Sequence, residues 1–589
     1  MNKKTVFLLL LVCIAASAAF AGCTAQVGDD TPSAGNAGGK VSEKSSYFDP
    51  VTAQVTEKTL PIYMFLPEYV DNISVYYING VDIPYLSLKD SMNLLADIAS
   101  VDEKDYLLTY KAEGDKVSVT RENNYSAVFD FGKNTIYFTD YDMFRKSPDG
   151  PLIEMTAIPD LVAPLFKKDT ARSYERYGDD ITMDLSRYGI QILRKNNDYY
   201  IPLQTFSDVF LSGIQCFSLY NGDAVFILTD MNDAISEVYY SAPQTEKSEE
   251  LAEFDYNELC FVLDHFYGLK DVHGIKDFDT LFHESANDQL LKSNNQTIVD
   301  QTLYRIFNDQ LDDLHSGLNA PSFRTDREIF EEEKSNTLRG ISGRTLVEKE
   351  MEFKTARDKT YPNGIPHYEE VGNTAYITFD HFENIEGLDY YSEPKIGELN
   401  DTIRLMQYAY DRITRDGSPI ENVVMDLSLN TGGTTFDAVY VTGLFLGEGQ
   451  MSGTDEMTGA LASAHYQVDT NRDHVFDEKD TLAGKGYKFY CIESAVSFSC
   501  GNLVPNVFKN SNQVTLIGQT SGGGSCLVQP LSTAGGTSFQ ISGNMRLSFI
   551  KNGAYYDIDR GAEPDVYIKD PYFLYDRKAL TDYINNKIK

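Results

Sequence analysis

The chain has 589 residues, room for roughly two to four domains of ordinary size, and a hydrophobic content of 42% that allows large cores. Asp and Glu number 88 against 51 Lys and Arg, a net charge of −37, which argues against nucleic acid and against binding an anionic membrane through the protein surface, and fits a soluble exterior. Seven cysteines in so long a chain make no disulfide scaffold, and no C-x-x-C pair offers a zinc or thioredoxin-like site.

Residues 1–22 read as a secretory signal: Lys3 and Lys4, an apolar run from Val6 to Ala21 too short for a comfortable membrane span, and small residues at its end. Phe20-Ala21-Gly22-Cys23 resembles a bacterial lipoprotein cleavage box, with Phe20 where Leu is usual. The expectation is cleavage before Cys23, a lipid on Cys23 and a place in the bacterial cell envelope outside the cytoplasm; an uncleaved anchor or ordinary signal is the alternative. Residues 23–46, rich in Gly, Ser, Asp, Ala and Lys from Gly28 on, read as a flexible tether.

Residues 47–242 read as a β-rich (α+β), stalk-like domain. Val75 to Ile78 runs into the turn Asn79-Gly80, and the strand-like runs 127–131 and 135–138 flank the turn 132–134, a hairpin pattern. An internal echo links Ile83-Pro84-Tyr85-Leu86 with Ile201-Pro202-Leu203, each before a helix-like run. Residues 243–345 read as helical, with one wide apolar face through Leu259, Val262, Leu263 and Phe266 and a second helical stretch over 290–311. Residues 346–589 alternate strands (375–379, 423–427, 487–492, 514–518) with helices (399–413, 502–509), an α/β core with parallel pairing and an insertion at 450–485.

Five segments carry chemistry. They are Val423-Val424-Met425-Asp426-Leu427-Ser428-Leu429-Asn430-Thr431-Gly432-Gly433, Ser497-Phe498-Ser499-Cys500-Gly501-Asn502, Gly518-Gln519-Thr520-Ser521-Gly522-Gly523-Gly524-Ser525, Gly561-Ala562-Glu563-Pro564-Asp565 and Asp312-Asp313-Leu314-His315-Ser316-Gly317-Leu318. Ser499 follows an apolar strand and opens a helix, where N–H groups and the helix N-terminus can face a substrate carbonyl. Gly432 and Gly433 can bring bare backbone close to it. A Ser at such a junction also reads as a simple N-cap.

In order and spacing these segments resemble the C-terminal processing (tail-specific) serine peptidases, tricorn core included, over roughly Glu246 to Lys569. The resemblance implies an α/β peptidase core with a helical N-terminal part, behind the stalk-like domain. It implies hydrolysis of peptide bonds in proteins or peptides, with no cofactor in catalysis and Ser499 as nucleophile. The Lys of the better-known branch aligns with Gly524, so the resemblance passes the base to His315, as in the tricorn branch. It gives the oxyanion to Gly432, Gly433 and the N–H of Cys500, and the orienting acid to Asp559, with Asp557 close behind. Without it, His315 has no preference over His381. Ser428, Gly501 and Gly524 depart from the family pattern, and a binding protein on a degenerate core is the alternative. Cys500 offers a thiol nucleophile as a lesser one. No room for a PDZ domain exists between His315 and Asn373, so a more open cleft for peptides or unfolded segments is as compatible as the recognition of a free C-terminal carboxylate that the family name implies.

One metal pattern stands apart. Asp469, Asn471, Asp473, Asp477 and Asp480 fall at loop positions 1, 3, 5, 9 and 12, with Val475 offering its carbonyl at position 7, as in EF-hand and dockerin calcium loops. His474 stands where Gly is expected and Asp480 where Glu is expected. The loop reads as a structural Ca²⁺ site or as an acidic surface loop.

Overall fold

A computed structural model of the chain describes residues 48–588 except 101–105, 123, 149 and 338. The signal-like segment, Cys23 and the whole 23–46 tether lie outside the described residues. Among the described residues no helix is long and apolar enough to cross a membrane.

The expected α/β core forms. A six-stranded sheet runs in the order Tyr368–Val371, Thr374–Thr378, Asn422–Asp426, Lys488–Glu493, Val514–Gly518, Val566–Tyr567. All but the first pairing are parallel. Successive side chains leave opposite faces, so Ala375, Ile377, Val423, Met425 and Leu516 pack under helices Thr402–Thr414, Thr435–Leu446 and Cys500–Ser511. Tyr376, Val424, Ile492 and Ile517 pack under Ile341–Thr360 and Arg577–Lys587. Covered on both faces, these strands carry apolar residues at successive central positions, which is why they read as short continuous apolar runs. The strand ends Asp426 and Glu493 deliver the two turns of the candidate site.

A second sheet is built around Ser538–Ser548, which pairs with Gly317–Ala320, Cys526–Ser532 and Gly449–Asp455. The 450–485 insertion is therefore half sheet: Gly449–Asp455 pairs with Leu461–Val468, and the latter pairs with Phe166–Lys168 and Tyr174–Arg176. The division at 242/243 needs correction for this reason. Strands from the stalk-like region complete the peptidase-side sheet, and buried Arg145 bridges Asp142 (3.0 Å) and Asp455 (3.3 Å) across it. One apolar cluster holds Val75, Phe129 and Phe210 together with Phe261, Leu303 and Phe539.

The β-rich region has a seven-stranded sheet and a five-stranded antiparallel one. The hairpin Tyr125–Asp130/Thr135–Phe138 forms where expected, its turn closed by Asn134 at φ 52. The echoing segments pair with each other: Leu86 lies opposite Ile201 in the antiparallel ladder of Tyr85–Ser87 and Asp198–Pro202, and each strand feeds a helix.

The helical region differs from expectation at two places. The stretch 290–311 is broken into Asp288–Leu291 and Gln296–Arg305 because Asn295 caps the second piece through the Thr297 N–H. It then widens into a π-helical turn, Ile306–Leu311, and stops at Asp312 with φ 49. Between Ala320 and Tyr368 the described residues make two helices, Arg327–Asn336 and Ile341–Thr360.

Candidate active site

Ser499 lies half-buried in the connection between strand Lys488–Glu493 and helix Cys500–Ser511, as N-cap of that helix. Its backbone sits at φ 56, ψ −123, a region that costs a residue with a Cβ on the order of 1–3 kcal/mol. Neighbours hold it there. The Ser499 N–H donates to the Gly523 carbonyl (2.9 Å), and the Phe498 N–H donates to the Asn430 carbonyl (3.1 Å). Ser499 is therefore not a relaxed cap, and its side chain makes no capping hydrogen bond.

The turn after Asn422–Asp426 comes up beside it. A Cβ on Gly432 would lie 2.7 Å from the Ser499 Cβ, and one on Gly433 would lie 2.1 Å from the Phe382 carbonyl oxygen, with φ +108 and +133 at the two positions. Both glycines are demanded by close approach as well as by conformation. The expected role of Gly432 needs correction: its N–H donates to Asn430 Oδ1 (3.0 Å) and is not available to an oxyanion. Among the described residues the N–H groups of Gly433 and Cys500 have no acceptor; Cys500 follows Ser499 in the chain, and Gly433 follows the glycine that packs on it. Asn430 is the hub that composition did not reveal. Fully buried, it also donates from Nδ2 to the Phe379 carbonyl (3.1 Å), and its own carbonyl leaves room only for glycine at 501, where a Cβ would lie 2.4 Å away. Ser428 is likewise engaged, its hydroxyl 2.9 Å from the Tyr575 hydroxyl.

The Cys500 thiol donates to the Gly433 carbonyl (3.3 Å), and burial first, then Asp437, pushes its pKa up to about 12. A protonated, inward-turned thiol does not fit a nucleophile.

His315 arrives from outside the core, on the loop after the π-helical turn. It is 2% exposed, and its ring lies against Phe498 with centroids 4.7 Å apart. The backbone N–H of His315 donates to Asp313 Oδ1 (3.2 Å), its backbone carbonyl accepts from Gln540 Nε2 (3.0 Å), and Asp313 also takes hydrogen bonds from Ser316 and Ser542. Asp312 ties the same loop to helix Ile341–Thr360 by accepting from the Gly343 N–H (3.0 Å). Burial lowers the His315 pKa below the usual 6.5, and Asp313 and then Asp559 oppose the shift. His315 Nδ1 is buried and without a hydrogen-bond partner.

Of the two candidate acids, Asp559 is the one near His315. Its Oδ1 accepts from the Ser525 N–H (3.0 Å) and hydroxyl (3.1 Å), and its carbonyl lies against Gly523, the residue that also holds Ser499. Asp557 is exposed and ion-paired with Arg546. His381 is exposed and meets the Thr431 hydroxyl. Asp313 was not singled out by sequence, yet it is the larger carboxylate influence on His315.

The calcium loop is separate from this site. The sharp turn expected at its sixth position exists, with His474 at φ 63 and its N–H on Asp469 Oδ2 (2.9 Å). Asp480 accepts from the N–H groups of Thr470, Asn471 and Asp477, Asp473 from that of Val475, and Asp477 from that of Lys479. Among the described residues no three His, Cys, Asp or Glu side chains gather as a metal site. A Ca²⁺ ion held by Asp469, Asn471, Asp473, Val475, Asp477 and Asp480 is thus a proposal resting on the sequence pattern and the turn. Added calcium should raise the melting temperature and chelator should lower it, by preferential binding to the native state; equal temperatures would end the proposal.

Residues 373–568 match the family model of peptidase family S41. A comparison with curated proteins finds no match. Among solved structures, the photosystem II D1 C-terminal processing protease is 16% identical over 36% of this chain and 47% of its own, with a TM-score of 0.27. This chain thus spans about half the length of that protease. A putative peptidase from Parabacteroides merdae ATCC 43184 is 14% identical over 58% of this chain and 98% of its own, with a TM-score of 0.39. Mature CPAF complexed with lactacystin is 13% identical over 58% and 99%, with a TM-score of 0.37. Peptidase family S41 is the family matched by residues 373–568, a segment that contains Ser499, Gly433, Cys500 and Asp559 while His315 reaches it from the helical region before it.

Proposed function

We propose that the protein is a serine endopeptidase acting outside the cytoplasm and held to the cell envelope by a lipid on Cys23. What supports the reading above all is the strained Ser499 between two N–H groups without acceptors, those of Gly433 and Cys500, with His315 packed on the adjoining residue. In this mechanism the Ser499 hydroxyl oxygen attacks a peptide carbonyl carbon while its proton passes to His315. The carbonyl oxygen becomes an oxyanion and takes hydrogen bonds from the two N–H groups. The imidazolium, stabilised by Asp313 and Asp559, gives the proton to the leaving amine. Water then repeats the cycle on the acyl-enzyme and frees Ser499. Substrates are polypeptides taken along their length, since two helices rather than an inserted carboxylate-binding domain follow His315.

A second reading, a surface binding protein on the same core, is favoured by one observation: His315 Nδ1 lacks the carboxylate hydrogen bond that would orient it. A fluorophosphonate probe applied to membranes carrying the full-length protein separates the two. The label is expected on Ser499 alone, in the membrane fraction, and on Ser499 in the soluble fraction for Cys23→Ala. No label at pH 7–8, a range above the ordinary imidazole pKa, would favour the binding protein; label that stays in membranes with Cys23→Ala would remove the lipid anchor only.

A further inference from the structure

Phe498 is boxed in on two sides. One is the His315 ring, at a centroid distance of 4.7 Å and an interplanar angle of 55°. The other is Gly524, where a Cβ would lie 2.5 Å from Phe498 Cε2 and 2.6 Å from Cζ, and where φ is +87. No side chain at 524 can coexist with this ring position. Phe498 is also pinned through its backbone, by its N–H on Asn430 and by a bridge to Gly523. The ring is therefore anchored to the same two loops that shape Ser499. His315 in turn has no hydrogen bond at Nδ1 to fix its rotation, so the aromatic face is the neighbour that defines where the imidazole lies.

From this we infer that Phe498 is a positioning residue, its ring filling the space left by glycine at 524 and holding the His315 imidazole beside Ser499. The inference deepens the peptidase reading and rests on it for its consequence, but the contact itself does not depend on activity. Phe498 does not touch the reacting atoms in this account. It acts through His315, both by setting the ring's position and by excluding water from one face of it.

The groups that face His315 are Asp313 on its own loop and Asp559 on the loop before Gly561. Tyr267 and Cys526 lie near the same two carboxylates, and burial keeps both protonated, so neither adds charge over the range of interest. Opening the Phe498 side to water removes the main cause that lowers the His315 pKa and leaves the two carboxylates that raise it. The titration of His315 should then move up, to the ordinary 6.5 or beyond.

The test is the titration of His315 by NMR of the full-length protein labelled at histidine Cε1, the His315 signal being assigned by its absence in His315→Gln. Wild type, Phe498→Leu, Phe498→Ala and Gly524→Ala are compared, with peptide hydrolysis measured in parallel. In Phe498→Leu and Phe498→Ala the midpoint should rise, and kcat should fall on the order of 10²-fold, as for a displaced reacting group. The Cβ of Gly524→Ala meets the Phe498 ring first and should move the midpoint the same way by displacing that ring. It also keeps the test intact if Phe498→Ala does not fold. A midpoint unchanged in both Phe498→Leu and Gly524→Ala would overturn the inference. A midpoint that rises in a protein showing no hydrolysis and no fluorophosphonate label would uphold the contact and sink the peptidase reading instead.

Discussion

Ser499→Ala, His315→Ala and the double variant should each lose about 10⁴- to 10⁶-fold in kcat/KM, and the double variant should be no worse than the weaker single one. The non-additivity is the informative part. A serine without its base and a base without its serine leave the same residual rate, supplied by binding and by the N–H groups of Gly433 and Cys500. Two residues that merely supported the fold would instead lose activity additively. The pH profile carries a second, independent sign. The neutral imidazole is the working form, and burial lowers its pKa below 6.5, so activity should hold as pH falls through 6.5 and drop only below it. A lysine base would instead make activity climb through the alkaline range towards its ordinary pKa of about 10.4, and Gly524 with a Phe ring over it leaves no place for one. Full activity in Ser499→Ala would overturn the reading of the site; full activity in His315→Ala would move the base elsewhere.

The core was legible because its physics is local. Strands covered on both faces carry apolar residues on both, so Thr374–Thr378, Asn422–Asp426 and Val514–Gly518 announced themselves within a residue or two. The Asn134 turn and the echo of 83–86 in 201–203 were readable for the same reason, though not that the two segments pair. The second sheet was not. Its central strand, Ser538–Ser548, takes partners from 317–320, 449–455 and 526–532, and no periodicity encodes pairings so distant in the chain. Leu461–Val468 falls within the 450–485 insertion, and its Ala462, Ser463 and Ala464 are small. They are buried, and small residues are what a crowded strand in the middle of a sheet accepts. At the site, Ser499 and the glycine pair could be found from sequence through the resemblance, and His315 only through it. Phe498 and Asn430 could not. One occupies a position that sequence treats as a spacer, and the other is a buried polar residue whose hydrogen bonds to Phe379 and Phe498 exist only once three loops have met. The assignment of an oxyanion donor to Gly432 failed for a related reason: glycine content marks close approach, but which N–H is free depends on the side chain of Asn430.

Gly433→Ala should cost on the order of 10²- to 10³-fold in kcat, the usual effect of losing one oxyanion donor, while leaving Ser499 and His315 in the protein. Two physical demands meet at this residue. Its φ of +133 is one that a residue with a Cβ rarely adopts, and the added carbon would lie 2.1 Å from the Phe382 carbonyl oxygen. That oxygen cannot give way cheaply, because it accepts from the Thr434 N–H (3.0 Å) while the Phe382 N–H donates to the Gly432 carbonyl (2.8 Å). The strand end must therefore shift, and the Gly433 N–H moves off the line to Ser499. Loss of kcat could also come from general backbone strain, so Gly553→Ala serves as the control. Gly553 has φ +80 with nothing within 4 Å of its would-be Cβ, in the tight turn between Ile550–Lys551 and Ala554–Tyr555. A side chain there should cost about 1–2 kcal/mol of stability through conformation alone and leave kcat within a fewfold of wild type. The measurement is kcat and KM for one peptide together with the denaturation midpoint of each variant. Stability lost in both but kcat lost only in Gly433→Ala places the oxyanion donor at Gly433. Equal, small changes in kcat for the two variants would show that the N–H of Gly433 takes no part, and that Ser499 finds its second donor elsewhere.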